Sequence, residues 1–128
     1  MFKIQKIMRV RILFISLIIA SFTLLGCKKS KQNKLTGSWE LLPQTEAQQN
    51  QKIIYKFDSD NKLYRTTDTI VDTADYELKS DFTKYYVVIR NLDEWSDANY
   101  YIEKLNRKIL ILQCQSPYLR KEFVRHEE

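Results

Sequence analysis

The chain has 128 residues, with 21 lysines and arginines against 16 acidic residues, one histidine and two cysteines. Two cysteines exclude a disulfide-stapled scaffold, and the single histidine, His126, excludes a multi-histidine metal centre. Four of the basic residues, Lys3, Lys6, Arg9 and Arg11, fall in residues 1–27, which hold no acidic residue. With these set aside, 17 basic residues remain against 16 acidic ones, so the nominal charge of +5 is no sign of a nucleic-acid partner.

In chain order, the basic head comes first and a mostly apolar run over residues 12–25 follows it. This is the layout of an export signal, and the run is shorter than the roughly 20 apolar residues that span a bilayer. It closes on Leu24-Leu25-Gly26-Cys27, which resembles the lipobox of bacterial lipoproteins. The resemblance implies that residues 1–26 are a signal peptide cut after Gly26, and that Cys27 carries diacylglycerol and opens the mature chain. An ordinary secretory signal with a cysteine near the cut is the alternative. Two or three acyl chains (palmitate or similar) give stable anchoring, at about 0.8 kcal/mol per buried methylene. Residues 27–34 then form a short basic tether, whose Lys28, Lys29, Lys31 and Lys34 favour anionic headgroups by about 1 kcal/mol each near the surface. Lys28 and Lys29, not an acidic residue, directly follow the cysteine. By resemblance to lipoprotein sorting, this implies a lipid-anchored place in the cell envelope, on the outer membrane facing the periplasm.

Once Cys27 is lipidated, only Cys114 keeps a thiol, so stability must come from a core. Residues 35–128 suffice for one small domain and not for two. Their periodicity is two almost throughout, which predicts strands at 36–42, 52–57, 62–67, 74–79, 84–90, 99–105, 108–114 and 120–125. Turn-rich segments such as DSDN, KSDFT, DEWSD and NR separate them, while the polar stretch over residues 43–51 reads as a surface loop. Eight short strands with one apolar face predict an all-β fold, a small antiparallel up-and-down barrel whose closure removes exposed edges. The inward faces are expected to carry Trp39, Tyr55, Phe57, Tyr64, Tyr76, Tyr86, Tyr100 and Phe123. The runs KYYVVIR and KILILQC are apolar on both faces, so part of the outer wall is expected to be covered or sticky.

The opening strand, LTGSWEL, resembles the lipocalins, whose first strand carries G-x-W near the closed end of the barrel; here the match falls on Gly37 and Trp39. Exported bacterial lipocalin-like domains are similar in continuing through an aromatic strand, here IIYKF, to late blocks like YYIEKL and ILIL and a closing F-x-R, here Phe123 and Arg125. The resemblance implies that Trp39 plugs the barrel base and that Arg125 stacks over it. This chain departs from secreted lipocalins in being shorter and in lacking a disulfide and a C-terminal helix pattern.

Catalytic and metal signatures are missing from the pattern. No G-x-S-x-G or H-E-x-x-H is present, and the single glycine after residue 27 excludes the usual phosphate loops. Residues 58–61 begin like a calcium loop, but Lys62 and Thr69 stand where ligands belong, so the segment reads as a hairpin turn. Asp93, Glu94 and Asp97 around Trp95 admit a paired-carboxylate site, and are read instead as a solvated acidic turn with a half-buried tryptophan. Cys114 alternates with Leu110 and Leu112 and reads as a small buried apolar residue. A non-enzymatic protein without cofactor or metal is therefore expected. Two functions fit: a binding module for a small apolar molecule or an envelope component, with an interior lined by Tyr55, Phe57, Tyr64, Tyr86 and Tyr100, or a filled scaffold whose aromatic outer strands or DEWSD loop dock an envelope protein.

Overall fold

The computed structural model describes the backbone of residues 2–115 and 118–127, and the side chains of residues 8–16, 28–115 and 118–127. The chain divides between Lys31 and Gln32 into two compact units. The first is a helix, α1 (Phe2–Leu35), whose residues 32–35 already belong to the second unit. Among the described residues, no helix is long and apolar enough to cross a membrane. The side chain of Cys27, on which the lipidation reading rests, lies outside the described residues, as do those of Lys3 and Lys6. The segment expected as a tether over residues 27–34 is helical.

The second unit is a closed antiparallel barrel in which each strand pairs with its neighbours in sequence. Its strands are β1 (Gly37–Leu41), β2 (Ile53–Phe57), β3 (Lys62–Thr67), β4 (Ile70–Asp81), β5 (Lys84–Arg90), β6 (Ala98–Leu105), β7 (Ile109–Gln115) and β8 (Tyr118–Arg125). Pairing of Trp39 with Arg125 and of Leu41 with Phe123 closes the cylinder, so the eight-stranded all-β barrel expected from the periodicity is formed and no strand edge is left over.

The turns explain the register. Asp58 accepts from the backbone N–H groups of Asp60 (2.9 Å) and Lys62 (2.8 Å), and Asn106 Oδ1 accepts from those of Lys108 and Ile109, both at 2.8 Å. Of the four non-glycine residues at positive φ among the described residues, three are Asn61, Asp68 and Asn91, the residue types that tolerate the left-handed region best. β4 starts four residues earlier than the predicted strand, because Asp68 and Thr69 make a two-residue turn and Thr67 pairs with Ile70. A bulge between Ile102 and Lys104 inserts one extra residue, and this keeps Leu105 inside although it breaks the alternation set by Tyr100 and Ile102. Within the stretch read as a loop, Thr45 caps a single turn, α2 (Glu46–Gln49).

Short turns also correct two interior assignments. The tight β2–β3 turn sets Phe57 opposite Leu63 and Tyr55 opposite Arg65, so Leu63 and Arg65 face inward and Tyr64 faces out. Similarly, Leu78 opposes Val87 and Tyr76 opposes Ile89, which turns Tyr86 to the outer wall. Tyr55, Phe57, Tyr76, Tyr100 and Phe123 do lie in the core, together with Leu35 and Trp39. Their rings interlock edge to face, Tyr55 on Phe123 at 5.0 Å and Phe57 on Tyr76 at 4.9 Å between centroids, an arrangement worth about 0.5–1.5 kcal/mol per pair beyond burial.

The base of the barrel is closed by the last turn of α1 and by β1. Leu35 and Trp39 are fully buried, and the indole N–H donates to the Leu35 carbonyl at 2.8 Å. Over the indole, at 3.8 Å from the ring centroid, lies the Arg125 guanidinium, which donates to the carbonyls of Thr36 (3.1 Å), Lys34 (2.6 Å) and Arg107 (3.3 Å). Gln32 donates to the Tyr76 hydroxyl at 2.7 Å, and that hydroxyl donates to the Asp58 carbonyl. Gly37 sits at φ +126°, and a Cβ there would stand 2.6 Å from Arg125 Nη1. Gly37→Ala is therefore expected to cost about 1–3 kcal/mol through strain and displacement of the guanidinium, measured by urea denaturation. An unchanged midpoint would contradict this packing.

Candidate functional site at the barrel mouth

The end opposite the base is bounded by the β1–β2, β3–β4 and β5–β6 connections, by the end of β7 and by the start of β8. Inside it the apolar filling gives way to a polar layer built on Arg65. Its Nη1 donates to Asp93 Oδ2 at 2.6 Å and to Ser96 Oγ at 3.2 Å, and its Nη2 donates to Asp72 Oδ2 at 3.0 Å. Nε of Arg65 is buried without a hydrogen-bond partner. Below this layer, the Tyr100 hydroxyl donates to the Ser96 carbonyl at 2.6 Å. Lys121 joins the layer from β8, next along the same inward row as Phe123.

The charges are shaped by this enclosure. Burial works against the Arg65 guanidinium, but its bonds to Asp93 and Asp72 more than offset that and hold its pKa above the usual value. For Asp93, burial pulls the carboxyl upward, while the bonds from Arg65 and Ser96 outweigh it and hold the group below the usual range. Lys121 is pushed down by burial first and by Arg65 second, with Asp93 opposing. Tyr55 and Tyr100 are both raised, chiefly by burial, so neither phenol ionises near neutral pH.

The layer also fixes the DEWSD loop. The Asp97 carboxylate accepts from the backbone N–H groups of Asn91 (2.9 Å), Leu92 (2.8 Å) and Asp93 (3.1 Å). Asp93 Oδ1 accepts from those of Trp95 (3.0 Å) and Ser96 (2.7 Å), while its other oxygen holds Arg65. Asp93 and Asp97 are thus spent on the loop's own backbone and on Arg65. Trp95, expected half-buried, is 85% exposed. Beside it opens a cleft of about 660 Å³ reaching Ala98, Cys114 and Leu119. Exposed apolar side chains recur around the same end, with Leu42 on the β1–β2 connection, Ile70 and Val71 at the start of β4, and Tyr118 at the start of β8.

Of the residues proposed to line an interior site, Tyr55, Phe57 and Tyr100 are brought together, but as core filling at 1%, 0% and 0% exposure. Tyr64 and Tyr86 stand on the outside. Gly37, Trp39 and Arg125 meet at the base. Arg65, Asp72, Ser96 and Lys121 were not singled out from the sequence; the four-residue turn after Phe57 was the available signal for Arg65, because it fixes which face of KLYRTT is inside. Among the described residues there is no group of three or more histidine, cysteine or acidic side chains placed to hold a metal ion. Comparisons with protein-family models, with curated proteins and with solved structures find no match to this chain.

Proposed function

We propose that the chain is a non-enzymatic lipoprotein of the cell envelope, anchored through acyl chains on Cys27 to the outer membrane facing the periplasm. In this reading its lipocalin-like barrel is a filled scaffold that docks an envelope protein through the mouth rim. The observation that carries the docking is the contrast between the two surfaces of one barrel end. Inside, an apolar ligand would have to displace fully buried tyrosines and an ion-paired arginine; outside, a rigid loop holds Trp95 in solvent. Exposed tryptophan on a preorganised loop is the chemistry of an interface anchor, since ordering costs nothing at binding and the indole fills a partner pocket.

Two tests address the two parts. Cys27→Ala is expected to abolish incorporation of labelled fatty acid and processing at that site; a variant still acylated and cut after Gly26 refutes the anchor. A photoreactive group in place of Trp95 is expected to cross-link one envelope protein in intact cells. Trp95→Ala should weaken that complex by about 2 kcal/mol, with stability unchanged within about 0.5 kcal/mol. Loss of folding in place of loss of binding would make Trp95 structural and end the docking reading.

A further inference from the structure

The outer wall over β5, β6 and β7 carries a second constellation, centred on a pair of tyrosines that the mouth does not use. Tyr86 pairs with Tyr101 across the β5–β6 ladder, and Tyr101 with Gln113 across the next. By the two-residue alternation of strands, Lys84, Tyr86, Asn99, Tyr101, Gln113 and Gln115 all project from this wall. With Cys114 they line a cleft of about 330 Å³, which adjoins the cleft beside Trp95 through Asn99 and Cys114. The two phenol rings lie 5.9 Å apart at 56°, and the Lys84 ammonium stands 5.7 Å from the Tyr101 centroid. A neighbouring cleft of about 280 Å³ shares Tyr86 and Asn99 and continues toward Val88, Ser80 and the oppositely charged Lys79 and Asp81.

The lining selects a ligand class. No carboxylate borders the first cleft, so a cationic or metal-bridged ligand has no counter-charge, and the one ammonium, already held near a ring, is too little for a polyphosphate. A dry protein hot spot is also a poor fit, because three primary amides would have to be desolvated and matched by the partner. What remains is an uncharged molecule with flat C–H faces for the rings and many hydroxyl or acetamido groups for amides that both donate and accept. Three adjacent strands span about 10 Å, the width of one or two sugar rings. We infer that this wall binds an N-acetylated oligosaccharide, one sugar against Tyr86 and Tyr101 and the next extending over the shared cleft.

The test uses the full chain in a detergent that has no sugar headgroup, titrated with N-acetylated chitotetraose and read by saturation-transfer NMR. Saturable binding with transfer strongest at the acetamido methyls is expected. Tyr86→Ala and Tyr101→Ala should each weaken it about fivefold, the worth of one ring contact, while Tyr86→Phe retains most of it. Should either alanine variant lose its near-ultraviolet circular dichroism, Gln113→Ala, which removes an amide without touching the ring pair, should still weaken binding measurably. No saturable binding at millimolar sugar overturns the inference. So does binding that survives all these changes, or that is lost with Trp95→Ala. Trp95 does not line this cleft, and the ring pair Tyr86 and Tyr101 does not line the cleft beside Trp95, so failure here leaves the docking reading standing, and failure of the cross-link leaves this one.

Discussion

Trp39→Ala is expected to lower the stability of the chain by about 3–5 kcal/mol, the range for deleting a large fully buried aromatic side chain. The indole has no exposed surface, and three separate structures converge on it: the last turn of α1 through the Leu35 carbonyl, β8 through Arg125, and the aromatic filling of the barrel. Alanine removes the apolar volume and also strips the Arg125 guanidinium of the ring beneath it, leaving a cation whose pKa burial already depresses. The cavity cannot collapse easily, because the strands around it are locked by barrel closure. Urea denaturation of the full chain in detergent, followed by near-ultraviolet circular dichroism, reads the effect. Arg125→Lys supplies the companion measurement: a lysine keeps the charge but cannot reach three carbonyls in one plane, so a smaller loss in the same direction is expected. A change within about 0.5 kcal/mol for Trp39→Ala would mean that the base is not held by this residue.

The base and the mouth were not equally legible. At the base, Gly37, Trp39 and Arg125 carry residue types that announce their roles, and strand alternation alone puts Trp39 inside. On β3 and β5, aromatic side chains occupy both or the wrong parity, and mass misleads. Tyr64 is bulkier than Leu63, yet the hairpin turn, not side-chain size, decides which face is buried. The inward arginine is tolerable only because Asp72 lies directly opposite it on β4 and Asp93 arrives from a loop 28 positions later. Neither partner can be read from the local pattern, since one belongs to a strand whose first four residues look like loop and the other to a turn whose acidic residues look merely solvated. Polar layers inside barrels are long-range constructions, and local periodicity carries no information about them.

The same layer gives the second large effect. Arg65→Met is expected to cost about 2–3 kcal/mol at neutral pH, less than a wholly buried pair because Asp93 and Asp72 keep access to solvent, with side-chain exposures of 33% and 44%. The loss should shrink with acid, and the sign follows from Asp93. In the folded protein its pKa is depressed, so it contributes stability that is present above the unfolded carboxyl value of about 3.9 and is lost as pH falls through the lower folded value. Without Arg65, only the bonds from Ser96 still oppose the upward pull of burial on Asp93, so less stability is lost when its carboxyl is protonated. Wild-type stability should therefore fall more steeply between about pH 5 and 3 than that of Arg65→Met, so the two curves converge. Asp93→Asn should flatten the wild-type curve in the same interval, and combining it with Arg65→Met should cost less than the two losses added, because each change removes the same pair. Parallel curves down to pH 3, or additive losses, would show that Arg65 and Asp93 are not coupled in the folded protein and that the mouth is not closed by this ion pair.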